Sequence, residues 1–274
     1  MIEINKKLSF SYKKAPLIIA EISGNHKQNK KKFLRLIESA FKNGADLVKI
    51  QTYEPVDITL NNKNINFKIK NGIWKNTYLW DLYKKAHTPF KWHREAFKIA
   101  KKHKGTIFSS PFSIRAVDFL EKLNVQLYKI ASFEITDLKL IHYIASKKKP
   151  IILSTGMSSL KEIKSAIKII NKFHKKIILL HCVSNYPTHI KDTNPSRINN
   201  LKKIFKNYPI GLSDHTNDIF SSIAAMPLGI VAIEKHYKLS DKEKTPDSKF
   251  SITPSKLLQL KQNSVGIFES FKKK

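Results

Sequence analysis

Gly211-Leu212-Ser213-Asp214-His215 and Val231-Ala232-Ile233-Glu234-Lys235-His236 are two short, largely apolar runs that each end on a histidine and lead into a helical pattern. Each reads as a buried strand followed by a helix. Parallel neighbours in a sheet lie about 4.8 Å apart, so imidazoles at the C-terminal ends of two consecutive strands converge on one ion. The pair therefore predicts a metal site at the mouth of a barrel, held by His215 and His236.

The same alternation runs outward through the chain. Apolar runs at 17–23, 46–53, 106–112, 126–133, 150–155, 176–184, 210–215 and 231–237 read as strands. Helical spacing marks 31–43, 90–103, 113–123, 138–147, 160–173, 195–206, 219–228 and 255–271. Gly44 is placed to stop the first helix and Pro254 to start the last. Alternating strands and helices imply a parallel sheet. Eight of each predict an α/β fold, a single-domain (β/α)8 TIM barrel over 1–274, with a polar insert at 54–87. An open doubly wound sheet is the alternative, but no glycine-rich dinucleotide fingerprint follows the first strand.

Bulk properties narrow the class. The chain has 274 residues, 41% hydrophobic, with a single cysteine, Cys182. A lone thiol forms no internal disulfide and points to a reducing cytoplasm. No run approaches the ~20 apolar residues of a membrane span, so a soluble protein is expected. The formal net charge is +30, nearly all from lysine; the arginines are Arg35, Arg94, Arg115 and Arg197. Base readout favours arginine forks, so this charge reads as a solvated basic surface that attracts anionic substrates, and it argues against nucleic acid.

In a barrel, chemistry sits where the strands finish. These strands finish on Glu21 and Ser23, Lys49 and Gln51, Ser110, Lys129 and Ser132, Ser154, Asn185, Ser213 and His215, and Glu234 and His236. Period-two alternation puts Lys49 with Gln51, Ser213 with His215 and Glu234 with His236 on common faces. Lysines inside a barrel are costly unless they meet anions. With clustered hydroxyls they suit a phosphate and a carboxylate. The two histidines leave open positions on an ion, as Lewis-acid work requires, with Asp214 and Glu234 as candidate supports. Imidazole leaves manganese, zinc, cobalt and iron open.

Ala20-Glu21-Ile22-Ser23-Gly24-Asn25-His26 resembles the opening motif of the sialic acid synthase family. Val48-Lys49-Ile50-Gln51-Thr52-Tyr53, Ser109-Ser110-Pro111-Phe112, Tyr128-Lys129-Ile130-Ala131-Ser132-Phe133-Glu134, Ser154-Thr155-Gly156-Met157, Tyr186-Pro187 and the two histidine blocks follow in family order. Within the insert, Trp74-Lys75 and Leu79-Trp80-Asp81-Leu82-Tyr83, followed by Trp92-His93, resemble the pseudaminic acid branch rather than the N-acetylneuraminate branch; N-acetylneuraminate or legionaminate synthesis is the alternative, and a non-catalytic barrel binding a partner or nucleic acid a further one.

The resemblance implies condensation of phosphoenolpyruvate with an N-acetylated amino sugar, in that branch a 2,4-diacetamido-trideoxy-hexose. The products are a nonulosonic acid and phosphate. It implies a divalent metal ion, manganese, on His215 and His236. Phosphoenolpyruvate would lie on Lys49, Ser110, Lys129, Ser132, Ser154, Asn185 and Ser213. Gln51, Tyr186 and Asp247 would meet the sugar or order water, Glu21 would serve as acid/base, and Asn25, Glu134 and Glu234 would support. A homodimer is also implied. The barrel pattern runs to residue 271, so the small C-terminal antifreeze-like domain of family members is expected to be absent. Thr245 stands where that pattern has glycine.

Overall fold

The computed structural model describes residues 1–272. Eight parallel strands form the barrel: β1 Leu17–Glu21, β2 Leu47–Thr52, β3 Thr106–Pro111, β4 Tyr128–Ile130, β5 Ile151–Ser154, β6 Ile177–Cys182, β7 Ile210–Asp214 and β8 Ala232–Tyr237. They pair in chain order, and β8 pairs with both β7 and β1, which closes the ring. Around them lie α1 Lys30–Lys42, α2 Leu79–Ala86, α3 Phe90–Lys102, α4 Ile114–Lys122, α5 Leu138–Ser146, α6 Leu160–Ile170, α7 Arg197–Ile204, α8 Phe220–Ala225 and α9 Pro254–Ser270. The barrel expected from the alternation is present; residues 273–274 of the expected domain lie outside the described residues.

Local chemistry explains the elements. The Asn29 side chain caps α1 by accepting from Lys32 N at 2.9 Å, and Phe33, Leu36, Ile37 and Ala40 form its buried stripe. Gly44 follows with φ of 94°, a conformation that favours glycine. Ser159 and Glu162 form a reciprocal capping box on α6. Ile18, Ile19, Val48, Ile152 and Ile178 are fully buried in the core.

Three features depart from the sequence reading. The insert is not wholly irregular: it holds α2 and an antiparallel bridge between Lys68 and Tyr78. The fourth strand ends early because 132–134 curls into a 3₁₀ turn, which lets the Ser132 hydroxyl accept from Gly156 N at 3.1 Å. The N-terminus adds a two-residue hairpin, Ile2–Glu3 against Ser9–Phe10, too short to leave a periodic signal.

Candidate active site

Barrel closure gathers most of the expected polar residues at the C-terminal ends of the strands. Glu21 stands in register with Lys49 on one side and His236 on the other, and Ser213 with Glu234 and Cys182. A cavity of about 420 Å3 opens there, lined by Lys49, Gln51, Ser110, Lys129, Ser132, Glu134, Ser154, Tyr186, Ser213, His215, Glu234, His236 and Asp247. The insert supplies Ile58, Trp74, Leu82, Tyr83 and Ala86 to its apolar side.

Glu234 organises the floor. Lys49 Nζ donates to its carboxylate at 2.8 Å, Lys129 Nζ at 2.9 Å and the Ser213 hydroxyl at 3.2 Å. Burial opposes its ionisation, but the Lys129 and Lys49 ammoniums outweigh burial and hold it well below the usual carboxylate range. Burial alone lowers Lys49, yet the Glu21 and Glu234 carboxylates keep it above its ordinary value. The buried lysines thus meet an anion of their own chain. Glu21 lies 3.3 Å from Lys49 Nζ. Burial is the largest influence on Glu21 and pushes it up to about 7 against that ammonium.

The two imidazole centroids are 5.4 Å apart at an interplanar angle of 61°. Rings this close could each present one nitrogen to a single ion. His215 Nδ1 is 2.9 Å from the Val183 carbonyl, which accepts its proton and leaves Nε2 available. His236 Nδ1 is buried without a partner. Burial, then His215, holds His236 well below its ordinary value, so it is neutral at pH 7 and its lone pair is free. Among the described residues no cluster of three or more His, Cys, Asp or Glu side chains could hold a metal, so any ion here keeps positions open. Asp214 makes no direct hydrogen bond to the His215 ring. It points to the outer face, where it meets Lys235 at 3.3 Å and Ser222 at 2.6 Å, because period-two alternation turns it away from its neighbour.

Other buried groups are left waiting. The Ser110 and Ser154 hydroxyls, Glu134 Oε2 and both Glu21 oxygens have no hydrogen-bond partner. Unpaired buried polar groups are costly, and their concentration at one end of the barrel points to a polar ligand. Gln51 Nε2 donates to Ser23 Oγ at 3.1 Å. Asp247 Oδ2 accepts from Gly24 N at 3.0 Å. The Tyr186 ring packs 4.3 Å from the His215 ring, tilted by 42°.

Three expected residues do not line the cavity. Asn185 is exposed; the chain turns there, its carbonyl accepting from Thr188 Oγ1 at 2.8 Å, while Tyr186 points inward. Glu21 is fully buried, 3.3 Å from Lys49 Nζ, and has no place in the cavity lining. Asn25 is a clamp: its Nδ2 donates to Tyr237 O at 2.9 Å and Ser251 Oγ at 2.8 Å. Its Oδ1 accepts the Thr245 hydroxyl, so the residue that departs from the family pattern has a bonding role in the Asp247 loop. The sequence reading missed Cys182 as a lining residue, with its Sγ 3.8 Å from His215 Nδ1. Its place at the end of β6, in register with Ser213, was the available signal.

A closed barrel with two imidazoles, two buried ammoniums and unpartnered hydroxyls at its C-terminal mouth has the chemistry to take an anionic ligand beside a cation. Comparison with known proteins gives the class a family. The NeuB family profile matches residues 36–274, and the chain belongs to the NeuB family. The Helicobacter pylori pseudaminic acid synthase is 45% identical over 238 residues, 86% of this chain and 70% of that protein. A Campylobacter jejuni N,N'-diacetyllegionaminic acid synthase is 38% identical over 251 residues, 90% of this chain and 75% of that protein. The crystal structure of N-acetylneuraminic acid synthetase from Leptospira borgpetersenii, in complex with citrate, superposes with a TM-score of 0.90 at 28% identity, covering 100% of this chain and 90% of that one.

Proposed function

We propose that this protein condenses phosphoenolpyruvate with an open-chain N-acetylated amino sugar to form a nonulosonic acid, in the manner of a pseudaminic acid synthase. The observation that carries this reading is the convergence of Lys49 and Lys129, 2.8 and 2.9 Å from one carboxylate, beside the unpartnered hydroxyls of Ser110 and Ser154. That floor suits an acid bearing a phosphate and a carboxylate. The apolar wall of Trp74, Leu82 and Tyr83 suits a deoxygenated, acetylated sugar, and 45% identity to a pseudaminic acid synthase against 38% to a legionaminic acid synthase favours that branch.

In this reading the enol carbon of phosphoenolpyruvate bonds to the sugar aldehyde carbon. Water adds at the adjacent carbon, and the C–O bond to phosphate breaks. Lys49, Lys129, Ser132 and Ser213 orient the phosphoenolpyruvate, and Gln51, Tyr186 and Asp247 orient the sugar. His215 and His236 would hold a divalent ion, manganese, which supplies Lewis-acid polarisation when bound. Glu134 lines the cavity with a free Oε2, and burial pushes it up to about 7, so it is better placed than Glu21 to move a proton near neutral pH. Assembly as a homodimer and a cytoplasmic setting belong to the same reading; among the described residues no helix is long and apolar enough to cross a membrane.

Phosphate release from phosphoenolpyruvate plus Mn2+ with a panel of 2-acetamido sugars tests the reading. Release with a 2,4-diacetamido-trideoxy-altrose above all others is expected. Release with a 2-acetamido-hexose instead moves the protein to the neuraminate branch, and no release with any sugar overturns the enzymatic reading.

A further inference from the structure

Behind the two histidines, on the outer face of the barrel, lies a buried charge cluster that the proposed reaction does not use. Lys235 and Asp214 stand in register across β8 and β7. Each immediately precedes a histidine of the mouth, and both side chains are 0% exposed. A buried ion pair generally adds less stability than apolar side chains of similar volume, so stability alone is a weak reason for one in this layer.

The bonding pattern suggests what the pair does. Lys235 Nζ donates to the carbonyl oxygens of Thr216 at 2.7 Å and Asp218 at 2.8 Å, and sits 3.3 Å from Asp214 Oδ2. Asp214 accepts from Thr216 N at 2.8 Å and from Ser222 Oγ, on α8, at 2.6 Å. The ammonium is therefore caged by the residues on both sides of His215, while its own backbone leads directly into His236. Lys235 staples one histidine's flanks to the other histidine's strand.

We propose that Lys235 and Asp214 are positioning residues that set the separation of the His215 and His236 imidazoles, and with it the site's affinity for a divalent cation. The inference rests on the proposed ligand role of the two histidines. A second tether on the same loop, Lys256 Nζ to Asp218 Oδ2 at 2.6 Å, is partly exposed and provides a control.

The test is an electron-paramagnetic-resonance titration with Mn2+ alone, with folding followed by circular dichroism and thermal melting. The double variant Asp214→Asn/Lys235→Met removes both charges together. Its Mn2+ affinity is expected to fall about ten-fold or more, the scale seen when groups that orient metal ligands are removed, with Lys256→Met staying within about two-fold. A folded double variant of unchanged affinity overturns the inference and leaves the histidine assignment standing. Failure of the unsubstituted protein to bind Mn2+ overturns both. Should the double variant not fold, Ser222→Ala decides: it removes one partner of Asp214 and keeps the pair charged. A weakening of about three-fold is expected, and unchanged affinity overturns the inference.

Discussion

Glu134, partly buried, and Glu21, fully buried, are two carboxyls with the same elevated value of about 7 and different surroundings. Glu134 faces the cavity, whereas Glu21 sits behind Lys49. Glu134→Gln is expected to lower kcat about 100-fold, within the usual range for loss of a general acid or base. Glu21→Gln is expected to lower it about ten-fold or less, with phosphoenolpyruvate binding nearly intact. Steady-state kinetics with calorimetric binding separates the two, and the reverse order of losses returns the proton-transfer role to Glu21. Glu134 also carries a pH signature. Its folded value lies above the 4.5 of a free glutamate, so its contribution to stability is full below pH 4.5 and lost as pH rises through about 7. The loss amounts to roughly 3 kcal/mol at most. Thermal melts of Glu134→Gln should therefore match the unsubstituted protein near pH 4.5 and exceed it at pH 8; equal melting at both values contradicts the burial argument.

At the scale of elements, the insert joins the mouth to the apolar side of the cavity. Trp74 donates its indole N–H to Pro246 O at 2.9 Å and packs 5.8 Å from Tyr186 and 6.1 Å from Phe250. The insert is thereby fastened to the loop that carries Asp247. Tyr83 meets Tyr53 edge-on at 5.9 Å, and Tyr53 meets Phe112 at 5.1 Å, which continues the apolar wall. Trp74→Ala is expected to raise KM for the sugar about ten-fold, the scale of one lost pocket contact, and to leave KM for phosphoenolpyruvate within about two-fold. Equal increases in both constants would mean that Trp74 supports the whole mouth and has no selective role. The insert's polar composition marked it as a loop; α2 escaped notice because it is only eight residues long, two turns of amphipathic helix inside a polar stretch.

For the whole molecule, the +30 charge is a kinetic property as much as a compositional one. A positive field raises the encounter rate of an anionic substrate and fades as salt shortens its reach. Raising ionic strength from about 20 mM to about 500 mM should lower kcat/KM for phosphoenolpyruvate several-fold with kcat unchanged, and a flat salt profile removes any steering role. Local pattern was enough to place the barrel, its strand ends and the inward residues Lys49, Lys129, Ser213, His215 and His236, because side-chain alternation and helical spacing are properties of neighbouring residues. Partner choice at the mouth needed closure of the ring. Lys49 meets Glu234 across 185 positions and Lys129 meets it across 105. The exposure of Asn185 and the retreat of Glu21 behind Lys49 likewise follow from how strand register and loop geometry divide a crowded ring of polar groups, which no stretch of neighbouring residues encodes alone.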